Sequence, residues 1–223
     1  MAKIHRGATL TPHFRDFVPP WLVRQQWYVG PGVPQLVPVG YFRMEDPAGE
    51  VGMETHLVSD GSVIYQVPMT YRGAPLVGAA GSLIATTEHS VLGTRWIYDG
   101  LADPVWVEQW LSLVRTEGVS ELSVKPGTGP AEARGRLLAR PEALTSDAAV
   151  IDLKRVVSTG EPADQHGVLG MVTGTWYPLA RARTWPRAAW PWCAGASGPG
   201  VPGRRPGPRP GWRAGRGGRG SGG

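Results

Sequence analysis

From Tyr177 onward the chain loses the residues from which a core is built. The segment YPLARARTWPRAAWPWCAGASGPGVPGRRPGPRPGWRAGRGGRGSGG contains no Ile, Met, Phe, Lys, Gln, Asp or Glu. It is mostly Gly, Pro, Arg, Ala and Trp. Ordering a backbone costs about 1–2 kcal/mol per residue, and this composition offers too little contiguous apolar surface to offset that. A disordered Gly/Pro/Arg-rich tail is expected over 177–223, with the folded unit confined to residues 1–176. Three origins for the tail stay open. It is an Arg/Gly-rich arm whose tryptophans stack on RNA or whose charge meets an acidic surface; or a solvated extension without a role; or a frameshift product. Gly, Pro, Arg and Ala are what GC-rich codons specify, and the composition changes abruptly near Trp176.

The tail also carries the charge. Nine of the 23 basic residues lie from Arg181 onward, and none of the 18 acidic ones does. The body is left with 14 basic and 18 acidic residues, a net charge of −4. The basic pI of 9.7 therefore says nothing about the fold, and the body is not expected to bind nucleic acid. The single cysteine, Cys193, excludes an intrachain disulfide and fits a reducing compartment. The opening MAKIHRGATLTPHFRDF has no apolar stretch of the signal-peptide kind. No apolar run approaches the ~20 residues that span a bilayer. A soluble, cytoplasmic protein that does not engage a membrane is expected.

Periodicity gives the body its elements. Thr9–Leu10–Thr11 reads as a short strand. Phe14, Phe17, Trp21 and Arg24 recur at helical spacing, so one or two short helices are expected, broken at Pro19–Pro20. Residues 30–38 read as a Gly/Pro loop. EVGMETHLV alternates, with Val51, Met53, Thr55 and Leu57 on one face and Glu54 and His56 on a second, solvated one. Asp60–Gly61 signals a hairpin turn into SVIYQVPMTYR, where Pro68 suggests an edge or a bulge. GSLIATTEH and GTRWIYDG read as two more strands. Asp103 is a good N-cap with Pro104 at the first helical position. The helix that follows carries a stripe of Val107, Trp110, Leu111 and Val114, widened by Trp106 and Leu113, and Gly118 is expected to end it. SELSVKPG, GRLLARP, AAVIDLKRVV and GVLGMVTGTW read as further strands. The fold class is α+β: an antiparallel sheet with a packed helix.

Several chemistries are missing from the text. The chain has no asparagine, so the kinase loop H-x-D-x-x-x-x-N cannot be written in it. Lys3, Lys125 and Lys154 lie in no phosphate-binding G-x-x-x-x-G-K-[ST]. The histidines at 5, 13, 56, 89 and 166 have no paired metal-ligand spacing and there is no Cys cluster, so neither a metal nor a cofactor is expected.

Three stretches, WLVRQQWYVG (Trp21–Gly30), VIYQVPMTYR (Val63–Arg72) and GTRWIYDG (Gly93–Gly100), together resemble the N-terminal cap of actinobacterial maltokinases. That family has a W-L-x-R-Q-R-W-[FY] element, then a Y-Q-V strand, then an aromatic-Tyr-Asp segment; here Gln26 stands where the family usually has Arg. The resemblance runs roughly from Lys3 to Gly118, with additional strands over 119–176. It implies a curved, cystatin-like sheet with a helix. It also implies a cap without a kinase lobe, of the free-standing kind sometimes labelled 1,4-alpha-glucan branching protein. A non-catalytic binding or regulatory protein of α-glucan, glycogen or trehalose–maltose metabolism follows, docking on a partner enzyme. The alternatives are a maltose or maltooligosaccharide binder and an unrecognised α-glucan-processing enzyme.

TTEHSVLGTRWIYDG concentrates residue types that catalysis uses: Glu88, His89, Ser90 and Arg95. Neighbours on a strand point to opposite faces, so a triad of Glu88, His89 and Ser90 would not converge. As a ligand site, Glu88, His89 and Arg95 with Tyr71 and Arg72 would form a polar rim, and Trp27 a stacking surface. As structure, Glu88 and Arg95 pair across a turn, His89 bonds to backbone, and Trp21, Trp27 and Tyr28 pin a helix to the sheet.

Overall fold

The computed structural model describes residues 5, 7–121, 128–158 and 167–176, together with the backbone of Ala189–Trp190 and Ala194–Ser197. β1 (Leu10–Thr11) leads into helix α1 (Phe14–Leu22). β2 (Val37–Met44), β3 (Gly52–Ser59), β4 (Ile64–Arg72), β5 (Leu83–His89) and β6 (Gly93–Asp99) follow. Then come α2 (Pro104–Arg115), β7 (Gly129–Leu137), β8 (Val150–Leu153), β9 (Gly170–Trp176), β10 (Ala189–Trp190) and β11 (Ala194–Ser197). Nine strands form one sheet in the order β1-β5-β6-β4-β3-β2-β7-β9-β10, and β11 and β8 make a separate pair.

The fold is α+β as expected, with three differences. The sheet is antiparallel except at β2 and β7, which pair in parallel at Gly40–Gly129 and Tyr41–Pro130. A long excursion through four strands and α2 separates these two, and it lets them run the same way. The second difference is β2 itself: the loop expected over 30–38 reaches only its first two residues, and no element was expected over 39–44. Pro38 and Gly40 obscure its alternation, and the β2–β3 register shifts between them. The third is a second helix layer. α1 is continuous through Pro19 and Pro20. Those prolines free the carbonyls of Arg15 and Asp16, both exposed residues, so water can take the missing bonds. His13 caps the helix, accepting from the Arg15 amide, while Asp16 bonds back to the His13 amide at 2.9 Å.

The two helices cover opposite faces of the sheet. Phe42, Met44, Met53 and Leu57 point to α2 and pack with its Trp106, Trp110, Leu111 and Val114 and with Ala131, Ala133 and Val172 of β7 and β9. The alternate positions Val58, Tyr65, Val67, Met69 and Ile97 point to α1 and pack with its Phe17, Val18, Trp21 and Leu22. Glu54 and His56 lie on this second face, which is covered rather than solvated; His56 is only 3% exposed.

α2 starts and stops by ordinary physics. The Asp103 carboxylate accepts from the Val105 amide. At the other end Gly118 donates to the Leu113 carbonyl and Glu117 to that of Val114, the paired bonds of a Schellman turn. The left-handed residue there is Glu117, with φ 48°, and not the expected Gly118. The backbone of α2 then presses onto β7: a Cβ on Gly135 would lie 1.9 Å from the Leu113 carbonyl oxygen.

Of the expected tail, Ala189–Trp190 pairs with β9 and Ala194–Ser197 with β8. The remainder lies outside the described residues, as does most of SELSVKPG.

Candidate functional site

The six candidate ligand residues fall in four places. Glu88, His89 and Arg95 sit on the β5–β6 hairpin. The Glu88 carboxylate accepts from the Thr94 hydroxyl at 2.6 Å, and Arg95 donates to the Leu92 carbonyl at 2.8 Å. His89 Nδ1 accepts from the amides of Val91 and Leu92, both at 3.1 Å. Only an unprotonated Nδ1 can accept, so the ring is the neutral Nε2–H tautomer. Burial, followed by the charges of His5 and Arg95, lowers the His89 pKa from its ordinary 6.5. Each group is spent on fixing the turn.

Arg72 stands at the end of β4 and grips Asp103 with two bonds, 2.7 Å from Nε and 2.6 Å from Nη2. Asp103 is fully buried. Burial pushes its carboxyl up. Hydrogen bonds from Arg72 and the Val105 amide, with the charge of Arg72, outweigh this and hold its pKa below the ordinary carboxylate value. One carboxylate thus caps α2 and ties the helix to the sheet.

Tyr71 belongs to the α1 face. Its hydroxyl lies 3.4 Å from Glu54 Oε2, and His56 Nε2 lies 2.9 Å from the same oxygen. The rings of Tyr41 and Phe14 lie tilted against His56, 5.6 and 4.8 Å away. Burial, then the charge and hydrogen bond of Glu54, raise the Tyr71 pKa well above 10. Sequence reasoning passed over this Glu54–His56–Tyr71 group. The alternation of Glu54 and His56 was visible, but not the helix that covers them.

Trp27 lies just beyond α1, edge-on to Trp21 at 5.8 Å and tilted against Tyr65 at 6.2 Å. The Arg155 guanidinium sits over its ring, 5.1 Å from the centroid, and bonds Asp99 at 2.5 Å. Beside it Tyr28 approaches Tyr65 to 5.5 Å. Tyr65 bonds Asp60 at 3.0 Å, and burial with that bond pushes its pKa up to about 12.

Exposed valines follow this aromatic group along the chain. Val29, Val33 and Val37 are 66%, 63% and 60% exposed. Val37 pairs with Ser59, which pairs with Ile64, so β3 separates Val37 from the start of β4. A cleft of about 210 Å³ opens elsewhere, between the end of β2 and the C-terminal turns of α2, lined by Glu45, Gln109, Thr116 and Glu121 among others. No aromatic residue lines it, and ligand pockets run larger, at about 300–1,000 Å³. Among the described residues no group of three His, Cys, Asp or Glu is placed to hold a metal ion. No helix among them is long and apolar enough to cross a membrane.

Residues 21–103 match the family model of the maltokinase N-terminal cap domain. The match runs from Trp21 on α1, through β2 to β6, and ends on the α2 cap residue Asp103. No curated protein matches the chain.

Proposed function

With a maltokinase N-terminal cap domain over residues 21–103 as the premise, we propose that this protein is a non-catalytic docking or regulatory partner of an enzyme of α-glucan or trehalose–maltose metabolism. The cap match is the observation that carries the reading. Where docking would occur follows from what is already covered. One face of the sheet holds α2 and the other holds α1. Val29, Val33 and Val37, close together along the chain, stay exposed, and exposed apolar residues of this kind favour a protein contact. On this reading residues 1–176 are the working unit, a cystatin-like cap extended by β7 to β9, and its setting is the cytoplasm.

A glucan-binding reading draws on Trp27, Tyr71, Arg72, Glu88, His89 and Arg95. Its support is thinner. Arg155 already lies over the face of Trp27, Arg72 is taken up by Asp103, and the three hairpin residues serve their own turn.

Co-purification from the source cells, followed by identification of what is retained, tests the proposal. An α-glucan or trehalose–maltose enzyme is expected at near-stoichiometric yield. Tight calorimetric binding of maltooligosaccharide to the isolated protein, with no enzyme retained, would reverse the order of the two readings.

A further inference from the structure

The flank of β4 carries an unused device. β3 pairs with β4 over Ile64–Tyr71, but β6 pairs with β4 only from Met69 to Arg72. Upstream of Pro68 that side of β4 is filled from a distant part of the chain. The Gln66 amide donates to the Arg155 carbonyl at 2.8 Å, and the Val157 amide donates to the Ile64 carbonyl at 2.8 Å. Tyr65 and Val156 form the antiparallel bridge between them. Pro68, which has no N–H, sits where β4 changes partner.

The added segment comes from outside residues 21–103, and its side chains are sorted. Arg155 enters a notch between the Asp99 carboxylate and the face of Trp27. Val156 packs into the α1-side cluster and Val157 into the α2-side cluster. Yet the seat is incomplete. Arg155 is nine-tenths buried, and its Nη1 has no acceptor among the described residues. A buried donor left unmade weakens the hold of the segment. The backbone pairing also amounts to the single bridge made by those two bonds, joined by one bond of 3.4 Å from the Gln66 side chain to the Lys154 carbonyl, far short of the ladder on the β3 side.

We infer that the Ile64–Gln66 edge is a strand-addition site occupied in cis by Lys154–Val157, and that it accepts an extended segment of a partner protein carrying an arginine followed by aliphatic residues. Strand addition takes its affinity from backbone bonds and its specificity from alternate side-chain pockets. Here the Asp99–Trp27 notch is the arginine pocket. The inference rests on the docking reading only for the identity of the partner.

The test uses the full chain and a fluorescent peptide with the sequence of residues 150–158. By anisotropy, the peptide is expected to bind an Arg155→Ala chain at least tenfold more tightly than the parent chain, whose own segment competes. The same peptide with its arginine replaced by alanine is expected to bind at least tenfold more weakly. Equal binding of the two peptides, or no binding to the Arg155→Ala chain when that chain is folded, overturns the inference. Hydrogen exchange on the parent protein is independent of whether the variant folds. The Gln66 and Val157 amides should exchange at least tenfold faster than the β3–β4 ladder, and equal protection overturns the inference too. A failed co-purification would leave the peptide result standing, and a failed peptide result would leave docking elsewhere on the molecule standing.

Discussion

Arg72 and Asp103 show how one pair of side chains can look like a ligand site and be a joint. Arginine at a strand end beside aromatics suggests an anion clamp, and here the anion is the α2 cap. Removing one partner of a buried pair leaves the other charge uncompensated, at a cost of about 3–5 kcal/mol. Because Arg72 is partly exposed and can be rehydrated, Asp103→Ala is expected to cost about 3 kcal/mol in denaturant unfolding. The sign of the pH dependence follows from the lowered folded-state pKa of Asp103. The joint contributes fully above the unfolded value of about 3.9 and is lost as pH falls through the folded one. Stability should therefore decline below about pH 4, and less steeply in Asp103→Asn. His89 is also depressed, so its contribution is present above about pH 6.5 and fades as pH falls below that. Protonating Nδ1 removes the acceptor of the Val91 and Leu92 amides. Those two amides should exchange faster at pH 5 than at pH 7.5, once corrected for intrinsic rates, and the difference should vanish in His89→Ala.

Among the elements, α2 was the most legible in the sequence. Asp103–Pro104 announced its start and the Trp110 stripe its buried face, because capping and amphipathicity are local properties. Its close differs from the expected one. The sequence offered Gly118 for the left-handed position, and the chain places Glu117 there. The difference is one residue, set by how the helix end meets Gly135 and the 118–121 segment. Gly135 was not foreseen at all. Nothing local marks it, since its reason is the α2 backbone at Leu113 and Val114. Gly135→Ala should force the helix off the sheet and cost at least the roughly 1–3 kcal/mol of an overpacked core, seen as a lower Tm with loss of near-ultraviolet circular dichroism. α1 teaches the converse. Two adjacent prolines predicted a break, but a short helix anchored by Phe17, Val18, Trp21 and Leu22 loses few bonds to them, and packing outweighs the loss.

For the whole molecule, the arrangement of covered and open surfaces is what bears on function. The segment that matches the cap model lends its strands to a larger sheet, and β7, β9 and α2 from the same chain occupy one of its sides. If docking uses the remaining valine surface, Val33→Glu with Val37→Glu should abolish retention of the partner. Surface changes of this kind usually shift stability by no more than about 0.5 kcal/mol each, so the melting temperature should barely move. Loss of partner together with a collapse in Tm would point instead to a structural role for the loop.

The sequence by itself determined the α+β class, the hairpin at Asp60–Gly61, the start of α2, and the cap resemblance carried by Trp21–Gly30, Val63–Arg72 and Gly93–Gly100. All are written in residues close along the chain, where propensity, periodicity and capping act. Only the tertiary structure decided that Glu54 and His56 are covered, that β2 runs parallel to β7, that Arg72 serves a helix cap, and that Arg155 reaches back to Trp27 and Asp99. Those facts depend on which distant segments meet, and burial and pairing across a sheet have no local signature.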